Sequence, residues 1–256
     1  MSTQSSTAST ALLAVDTGGT FTDLVLLREG RIKTLKIPST PDDPAQAVLD
    51  GIASILSADN AFTLLHGSTV ATNALLERRG ATVVLVTNRG FEDVIEIGRQ
   101  NRPQLYALVG HRLPPLVDRH DRLGVAGRLG PRGELIDALD DSELGELAGR
   151  ILARGADAIA ISLLHSYANP DHEEAVARAV EATGLPVSVS CHLVPEFREY
   201  ERTSTTVVNA YVAPIMNRYL GRLSDEAGAE RVTIMGSNGG VMTLAKAAEF
   251  AAGTFL

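Results

Sequence analysis

A short polar segment near the N-terminus carries the residue types best suited to chemistry. Two adjacent glycines, Gly18 and Gly19, lie between Asp16 on one side and Thr20 and Thr22 on the other. Adjacent glycines let the backbone approach a ligand and turn several N–H groups into one concavity, which suits a phosphate. The threonine hydroxyls add donors, and Asp16 is placed to hold Mg²⁺ or to steer a nucleophile. An ordinary Gly-Gly hairpin, with Asp and Thr as turn residues, stays open as the alternative.

A second candidate site lies where a predicted strand gives way to a predicted helix. The run from His66 through Ser68 to Thr69 ends at a helix N-terminus, which is a good anion or substrate site, although it also reads as a simple capping sequence. Asn73 follows one helical turn later, and it faces the same cleft or lies on the helix surface. No GxxxxGK[ST] or GxGxxG pattern occurs, so neither a P-loop nor a Rossmann fingerprint is predicted.

Further charged residues admit two interpretations each. Arg99 and Arg102, with Tyr106, have the chemistry to clamp a carboxylate, or they are solvated loop residues. Later in the chain, Glu199, Glu201 and Arg202 favour a charge network on a helix surface over a catalytic group. We interpret the single cysteine, Cys191, as a buried structural thiol rather than a nucleophile.

The elements that position these residues alternate between strand and helix. Three short strands joined by tight turns predict an antiparallel meander, and the alternation that follows predicts a mixed α/β sheet. A helix is predicted to begin after Asp42 and Asp43, with Pro44 at its first position, and Gly80 is suited to end the next one. Residues 99–132 predict a long irregular excursion. The predicted strands are 11–16, 23–28, 31–37, 63–66, 82–87, 156–164, 187–190 and 231–235, and the predicted helices are 45–56, 69–79, 140–152, 169–182, 196–226 and one at the end of the chain.

Composition limits the classes of function. The chain has 256 residues, 45% of them hydrophobic, and a net charge of -8 with no Lys/Arg cluster, which argues against a nucleic-acid partner. No apolar stretch predicts a membrane span. The first ten residues are rich in Ser and Thr and lack the features of a signal peptide, so they predict a disordered tail. We therefore expect a cytoplasmic protein.

Longer strings identify the sequence further. Together with Asp16 to Asp23, they resemble the actin-like ATPase superfamily in the form found in hydantoinase/oxoprolinase proteins. The resemblance covers nearly everything from Leu12 to Met242, and its strings occur in the family's order. The strings are HGSTVATNALLERRGA (66–81), GFEDVIEIGRQNRPQLY (90–106), LLHSYANPDHE (163–173), EFREYERTSTTVVNAYVAP (196–214) and IMGSNGGVM (234–242).

The resemblance implies an α/β fold of a particular kind. It is a ribonuclease H-like or actin-like ATPase lobe, with the antiparallel meander first and a mixed sheet flanked by helices. Family members continue beyond this point into a second phosphate loop, so the lobe is expected to be incomplete. The implied domains are a tail over 1–10, a hydantoinase/oxoprolinase N-terminal domain over 11–190, and the truncated start of a second hydantoinase A domain over 191–256.

The resemblance also implies ATP- and Mg²⁺-dependent hydrolysis of a cyclic amide such as 5-oxoproline or a hydantoin. Partners would be a hydantoinase B-type subunit and the missing C-terminal lobe. The alternatives are a subunit of an ATP-dependent ketone carboxylase, and an inactive truncated copy or partner-binding scaffold. The predicted site residues are Asp16 and Asp23 for catalysis, with Asp16 on the metal; Gly18, Gly19, Thr20 and Thr22 for the nucleotide; and His66, Ser68, Thr69, Asn73, Arg99 and Arg102 for the substrate.

Overall fold

A computed structural model describes residues 11–57, 61–101, 106 and 113–255. Contacts within the chain divide it into two compact units. The first unit is Met1–Arg79 with Ile215–Leu256, and the second unit is Gly80–Pro214. This division by contacts differs from the domain boundary predicted near residue 190, which stays a prediction. The predicted tail over residues 1–10 lies outside the described residues.

Strands and helices alternate along most of the described chain. The strands are β1 (Ala11–Thr17), β2 (Phe21–Arg28), β3 (Arg31–Pro38), β4 (Phe62–Ser68), β5 (Val83–Asn88), β6 (Arg122–Val125), β7 (Arg128–Leu129), β8 (Leu135–Asp137), β9 (Ala158–Ile161), β10 (Val187–Val189), β11 (Arg231–Met235) and β12 (Val241–Thr243). The helices are α1 (Pro44–Ile55), α2 (Val70–Leu76), α3 (Val94–Ile97), α4 (Asp141–Leu152), α5 (Asp171–Val180), α6 (Ser190–Leu193), α7 (Glu199–Glu226) and α8 (Leu244–Glu249). No helix in this part of the chain has both the length and the apolar character that crossing a bilayer requires.

The first unit contains a mixed six-stranded sheet in the order β12-β11-β4-β1-β2-β3. Strands β1, β2 and β3 pair antiparallel, as the sequence predicted, and β4 pairs parallel with both β1 and β11. Alternate residues of β1 enter the core, so Leu13, Val15 and Thr17 are buried while Asp16 is exposed on the opposite face. The parallel pairing brings the end of β4 beside the end of β1, where Thr17 is in register with Ser68.

The second unit contains a four-stranded parallel sheet in the order β10-β9-β5-β6. Every residue of β5 is buried, which fits the continuous apolar run in the sequence. The prediction of an irregular segment over residues 99–132 was wrong in part, because β6 pairs with β5 there. The four residues of β6 begin with an arginine and include a glycine, so they lack the pattern that would have indicated a strand. Residue 102, one of the predicted substrate contacts, lies outside the described residues.

The prediction that Gly80 ends the second helix was wrong. Helix α2 stops earlier, at Leu76, and the left-handed conformation falls on Arg78, whose φ is 57°. Packing explains why position 80 is a glycine: a Cβ there would lie 2.1 to 2.3 Å from ring atoms of Tyr211. The neighbouring amide of Ala81 donates to the Tyr211 carbonyl at 2.9 Å, so the backbone cannot easily move away.

Replacing Gly80 with alanine should therefore destabilise the protein. We expect Gly80→Ala to lower the free energy of unfolding by about 1–3 kcal/mol, because the new methyl group overlaps the Tyr211 ring. Gly145→Ala, in α4, is the matched control, since a Cβ there meets nothing within 4 Å. That control should be neutral or stabilising by up to about 1 kcal/mol. Urea unfolding midpoints measure both, and equal midpoints would contradict the packing argument.

Candidate functional site

A cavity of about 450 Å³ opens beside the Gly18–Gly19 turn in the first unit. Its wall brings together Gly18, Gly19, Thr69 and Asn73, four residues predicted from the sequence to contact nucleotide or substrate. Gly19 lies next to Asn73: a Cβ added at Gly19 would lie 3.5 Å from Asn73 Nδ2. A cavity of this size suits a small ligand or part of a larger one.

The turn is held in shape by its own backbone and by Ser39, at the end of β3. The Gly18 amide donates to the Phe21 carbonyl at 3.0 Å, and the Ser39 hydroxyl donates to the Gly18 carbonyl at 2.8 Å. The Ser39 amide donates to the Thr20 carbonyl at 2.9 Å. The Thr22 hydroxyl is fully buried and lies 3.0 Å from Ser39 Oγ, to which it donates because the Ser39 proton is already engaged. Thr22 therefore braces the turn from beneath, while Thr20 is exposed at its tip.

The junction between β4 and α2 is fastened to the same turn. Both the amide and the hydroxyl of Thr69 donate to the Thr17 carbonyl, at 3.0 and 3.1 Å. Asn73 Nδ2 donates to the Thr69 hydroxyl at 3.3 Å, so both side chains belong to one network. Ser68 Oγ accepts from the Val70 amide at 3.2 Å and is buried. The Ser68 hydroxyl thus occupies the first turn of α2, where the sequence predicted a substrate contact.

His66 is buried beneath the turn, so it does not reach the cavity as a substrate-binding side chain. Its Nδ1 lies 3.1 Å from the Val15 carbonyl, and its Nε2 is in short contact with the Tyr219 hydroxyl. Burial lowers the pKa of His66 from 6.5 to about 4, although the bond to the Val15 carbonyl acts in the opposite direction. A neutral ring must then donate from Nδ1 and accept the Tyr219 proton at Nε2. His66 consequently supports the site from within the core.

Tyr219, the hydrogen-bond partner of His66, also lines the cavity. Burial raises the pKa of its phenol to about 12, while the hydroxyls of Ser68 and Thr17 act to lower it. The Thr17 hydroxyl is itself buried and makes no hydrogen bond of ordinary geometry to a described residue. A buried hydroxyl in that state gains free energy from any ligand atom or water that reaches it.

The two predicted catalytic carboxylates lie on the opposite face of the sheet from the cavity residue Thr17. Asp16 is directly across from Asp23 in the β1–β2 register, and Lys36 of β3 follows Asp23 in the same row. Lys36 Nζ binds both oxygens of Asp23, at 3.0 and 2.9 Å, which reduces the repulsion between the two carboxylates. Two adjacent carboxylates fit Mg²⁺, which commonly takes one or two protein carboxylates and completes its shell with phosphate and water. No group of three or more acidic, His or Cys side chains suited to a metal occurs within residues 11–57, 61–101, 106 and 113–255.

Charged side chains of α7 surround the mouth of the cavity. Arg222 pairs with Glu226 at 2.8 Å and is in short contact with Asp43, and these hydrogen bonds raise the pKa of the guanidinium. Helix α1 begins after Asp43 with Pro44 at its first position, as predicted, but the Asp43 side chain makes no hydrogen bond to the helix, and its carboxylate contacts Arg222 instead. Arg218 also lines the cavity, is exposed, and forms no ion pair with another described residue.

Sequence reasoning missed Ser39, Arg218 and Tyr219. Ser39 follows a strand by one residue, in a context typical of any loop. Arg218 and Tyr219 lie in the second half of the long helix α7, roughly 200 residues after the turn that they approach. No spacing rule connects positions so far apart, so only the fold could have found them.

Of the predicted substrate residues in the second unit, Arg99 has another partner. Arg99 Nε donates to Glu201 at 2.7 Å, and that hydrogen bond lowers the pKa of the Glu201 carboxyl. The Arg99 charge is therefore already compensated by Glu201, at the start of α7, and both side chains are partly exposed. The Tyr106 side chain is 99% exposed.

The prediction that Arg202 belongs to a charge network on the helix surface was wrong. Arg202 is 2% exposed, its Nη2 donates to the Leu163 carbonyl at 2.5 Å, and burial lowers its pKa against the attraction of the buried Glu173 carboxylate. The amide of Cys191 donates to the same Glu173 at 2.8 Å. Cys191 is half-buried rather than fully buried, and burial raises the pKa of its thiol to about 12, so the thiol stays protonated.

Comparison with protein families gives two adjacent matches. A family described as the hydantoinase/oxoprolinase N-terminal region matches residues 12–184, and a family described as hydantoinase/oxoprolinase matches residues 202–256. Among curated proteins, the chain is 37% identical over 253 residues to the caprolactamase subunit alpha of Pseudomonas jessenii, covering 90% of this chain and 36% of that protein. It is 32% identical over 269 residues to 5-oxoprolinase 1 of Arabidopsis thaliana, covering 89% of this chain and 21% of that protein.

A solved structure also supports the fold. The nucleotide-free structure of an acetone carboxylase, from work on ATP-dependent acetone carboxylation, matches with a TM-score of 0.82 and 30% identity. The match covers 95% of this chain and 38% of that one. The mixed α/β class and the actin-like ATPase type of lobe are thereby confirmed. The chain spans between 21% and 38% of the length of these relatives.

The buried state of His66 predicts a specific dependence of stability on pH. Because its pKa is about 4 when folded and near 6.5 when exposed, the unfolded chain binds an extra proton between those values. The free energy of unfolding should fall by up to about 3 kcal/mol as the pH drops from 6.5 to 4. His66→Gln should remove this part of the slope, while His192→Gln, at an exposed position, should keep it. Urea titrations at several pH values measure the slopes, and parallel curves for all three proteins would contradict the assignment.

Proposed function

The chain belongs to the hydantoinase/oxoprolinase family, and from that premise we propose that it provides the phosphate-binding lobe of an ATP-dependent enzyme. The substrate we propose is a cyclic amide of the 5-oxoproline or hydantoin type. The names of two relatives, a caprolactamase subunit and a 5-oxoprolinase, support this class of substrate. The caprolactamase relative is a subunit, which supports a second polypeptide as partner; we propose a hydantoinase B-type subunit together with the remaining lobe.

The observation that carries the proposal is the convergence of separate segments on one cavity. The glycine turn, Thr69 and Asn73 share its wall although some fifty residues of sequence lie between the turn and α2. Backbone at Gly19, an amide at Asn73 and the exposed guanidinium of Arg218 are all hydrogen-bond donors suited to phosphate oxygens. Gly19 has no positive φ, and a Cβ there would make only an ordinary contact with Asn73, so the geometry of the turn does not require glycine at this position.

The chemistry of a cyclic amide explains why ATP is needed. Amide resonance makes the ring carbon a poor electrophile, and transfer of the γ-phosphoryl group to the amide oxygen, with release of ADP, removes that resonance. One water then adds to the carbon, the ring C–N bond breaks, and the nitrogen takes a proton. A second water releases phosphate from the acyl phosphate, so each ring opened consumes one ATP and two waters.

In this proposal the chain's own residues bind and orient rather than react. Donors on the cavity wall hold phosphate oxygens and balance the charge that develops during transfer. Asp16 and Asp23 would hold Mg²⁺, which supplies positive charge against the phosphates when bound. Lys36 fixes Asp23 in place, whereas no described residue forms an ion pair with Asp16.

A second candidate function is a subunit of an ATP-dependent ketone carboxylase. It is favoured by the structural match to acetone carboxylase, with its TM-score of 0.82. Both functions would begin with transfer of a phosphoryl group from ATP to the oxygen of a carbonyl compound, with release of the nucleotide, so the same cavity would serve either. The third possibility, an inactive copy or a partner-binding scaffold, predicts that the cavity residues are dispensable.

Reconstitution distinguishes the three possibilities. The chain is combined with a polypeptide that supplies the remaining length of its relatives and with a hydantoinase B-type subunit. ADP release is then measured with 5-oxoproline, hydantoin, caprolactam, or acetone plus bicarbonate. We expect ADP release to depend on one of the cyclic amides. Release with acetone and bicarbonate would favour the carboxylase, and folded proteins without substrate-dependent release would contradict both enzymes.

Gly19→Ala tests the nucleotide site itself. The structure gives a methyl group at this position ordinary contact with Asn73, so we expect the variant to fold with unchanged stability. If phosphate approaches the backbone here, the methyl group should weaken ATP binding by about tenfold or more, equivalent to about 1.4 kcal/mol. Gly221→Ala, where a Cβ meets nothing within 4 Å, is the control. Equal ATP affinities for the two variants in the reconstituted protein, measured by calorimetry, would place the phosphate elsewhere.

A further inference from the structure

The second unit has a cavity of its own, at the carboxyl ends of its parallel strands. Strand β5 lies between β6 and β9, so the chain leaves β5 toward one neighbour and returns later to the other. In open parallel sheets such a change of direction leaves a crevice that binds ligands. The cavity, of about 350 Å³, lies there: Phe91 follows β5, and Leu164 and His165 follow β9.

Most of the cavity wall is apolar. Phe91, Val94, Ile97, Leu164 and Tyr200 contribute aromatic and aliphatic surface. Ile97 is 48% exposed although it is a large hydrophobic residue. A ligand with a short hydrocarbon part would cover this surface and gain from its removal from water.

Two charged residues complete the wall, one of each sign. The Arg128 guanidinium lies over the Phe91 ring, 5.4 Å from its centroid, and Glu199 is half-buried at the start of α7. Within the residues that the structure describes, neither forms an ion pair within 4 Å. Nearby charges are already matched, as in the Arg99–Glu201 pair at 2.7 Å. Arg202 attracts Glu199 through space, but its stronger attraction is to Glu173.

The backbone around the cavity is unusually constrained. His165 has a φ of 59° and Gly98, which also lines the wall, has a φ of 57°. Gln100 and Arg198, beside Gly98 and Glu199 in sequence, have φ values of 58° and 79°. Non-glycine residues avoid this region because of steric cost, and such residues concentrate at ligand sites where the surroundings enforce them. The walls are therefore pre-shaped, which favours recognition of one small ligand.

We propose that this cavity binds a small zwitterion, with its carboxylate on Arg128, its ammonium on Glu199, and its hydrocarbon part against Phe91 and Leu164. The ligand class is an amino acid. The choice of which amino acid to test rests on the proposed function, because opening a cyclic amide ring yields an amino acid. The cavity itself is argued from its shape and charges alone.

The test compares probes that differ by one charge, on the full chain and without ATP. Calorimetry measures binding of 6-aminohexanoate and glutamate, with hexanoate and hexylammonium as probes of one charge each. We expect one of the amino acids to bind about tenfold more tightly than either single-charge probe. Glutamate binding alone would indicate a short ligand, and 6-aminohexanoate binding alone a long one; both support the site.

Variants assign each charge to its residue. Arg128→Met removes the partner of the ligand carboxylate, so the preferred amino acid should bind this variant no better than hexylammonium does. Glu199→Gln removes the partner of the ammonium, so the amino acid should bind that variant no better than hexanoate does. Arg132→Met, at a side chain that is 90% exposed, and Glu146→Gln, at an exposed position of α4, are the matched controls and should keep full affinity. Circular dichroism confirms that each variant is folded, and Arg128→Lys should recover part of the affinity if Arg128→Met is unstable.

Equal binding of zwitterionic and single-charge probes by the unchanged protein would overturn the proposal, as would full affinity in both folded cavity variants. These outcomes are separate from the test of ATP-dependent catalysis. Amino-acid binding without ADP release in the reconstituted protein would keep this site and contradict the proposed function. ADP release without amino-acid binding would support the proposed function and contradict this site.

Discussion

The geometry of the candidate site depends on two hydrogen bonds to the Thr17 carbonyl. This carbonyl accepts hydrogen bonds from both the amide and the hydroxyl of Thr69, so the end of β1 and the start of α2 cannot separate without leaving a polar group unpaired. The parallel pairing of β1 and β4 brings Thr17 and Ser68 into register and makes these bonds possible. The position of the glycine turn relative to Asn73 follows from this junction.

Beneath the junction, polar residues that look functional in the sequence act as supports. His66 is a residue type that commonly binds or transfers protons, yet burial holds it neutral in the core, where its ring nitrogens lie against the Val15 carbonyl and the Tyr219 hydroxyl. Thr22 bonds Ser39, which in turn fixes the Gly18 carbonyl. A glycine turn has little stiffness of its own, so a site built on one needs such a layer to remain shaped before ligand arrives.

Local patterns predicted the elements that local forces determine. The meander, the buried run at Val83–Asn88 and helix α4, whose N-cap Asp140 accepts from two first-turn amides, all follow from hydrophobic period and capping chemistry. Short strands such as β6 and β12 were missed because strands of three or four residues carry too little period, and tertiary pairing creates them. Arg218 was missed because only the folded chain brings it to the turn.

The arrangement of the site across the sheet edge limits how a phosphate chain can bind. Side chains alternate between faces, so Asp16 and Thr17, although adjacent, present a carboxylate to one face and a hydroxyl to the other. The turn at Gly18 and Gly19 is the segment through which both faces can be reached. Phosphates resting on the turn would therefore meet the carboxylates, and any Mg²⁺ they hold, on one side. The hydrogen-bond donors of the cavity would lie on the other side.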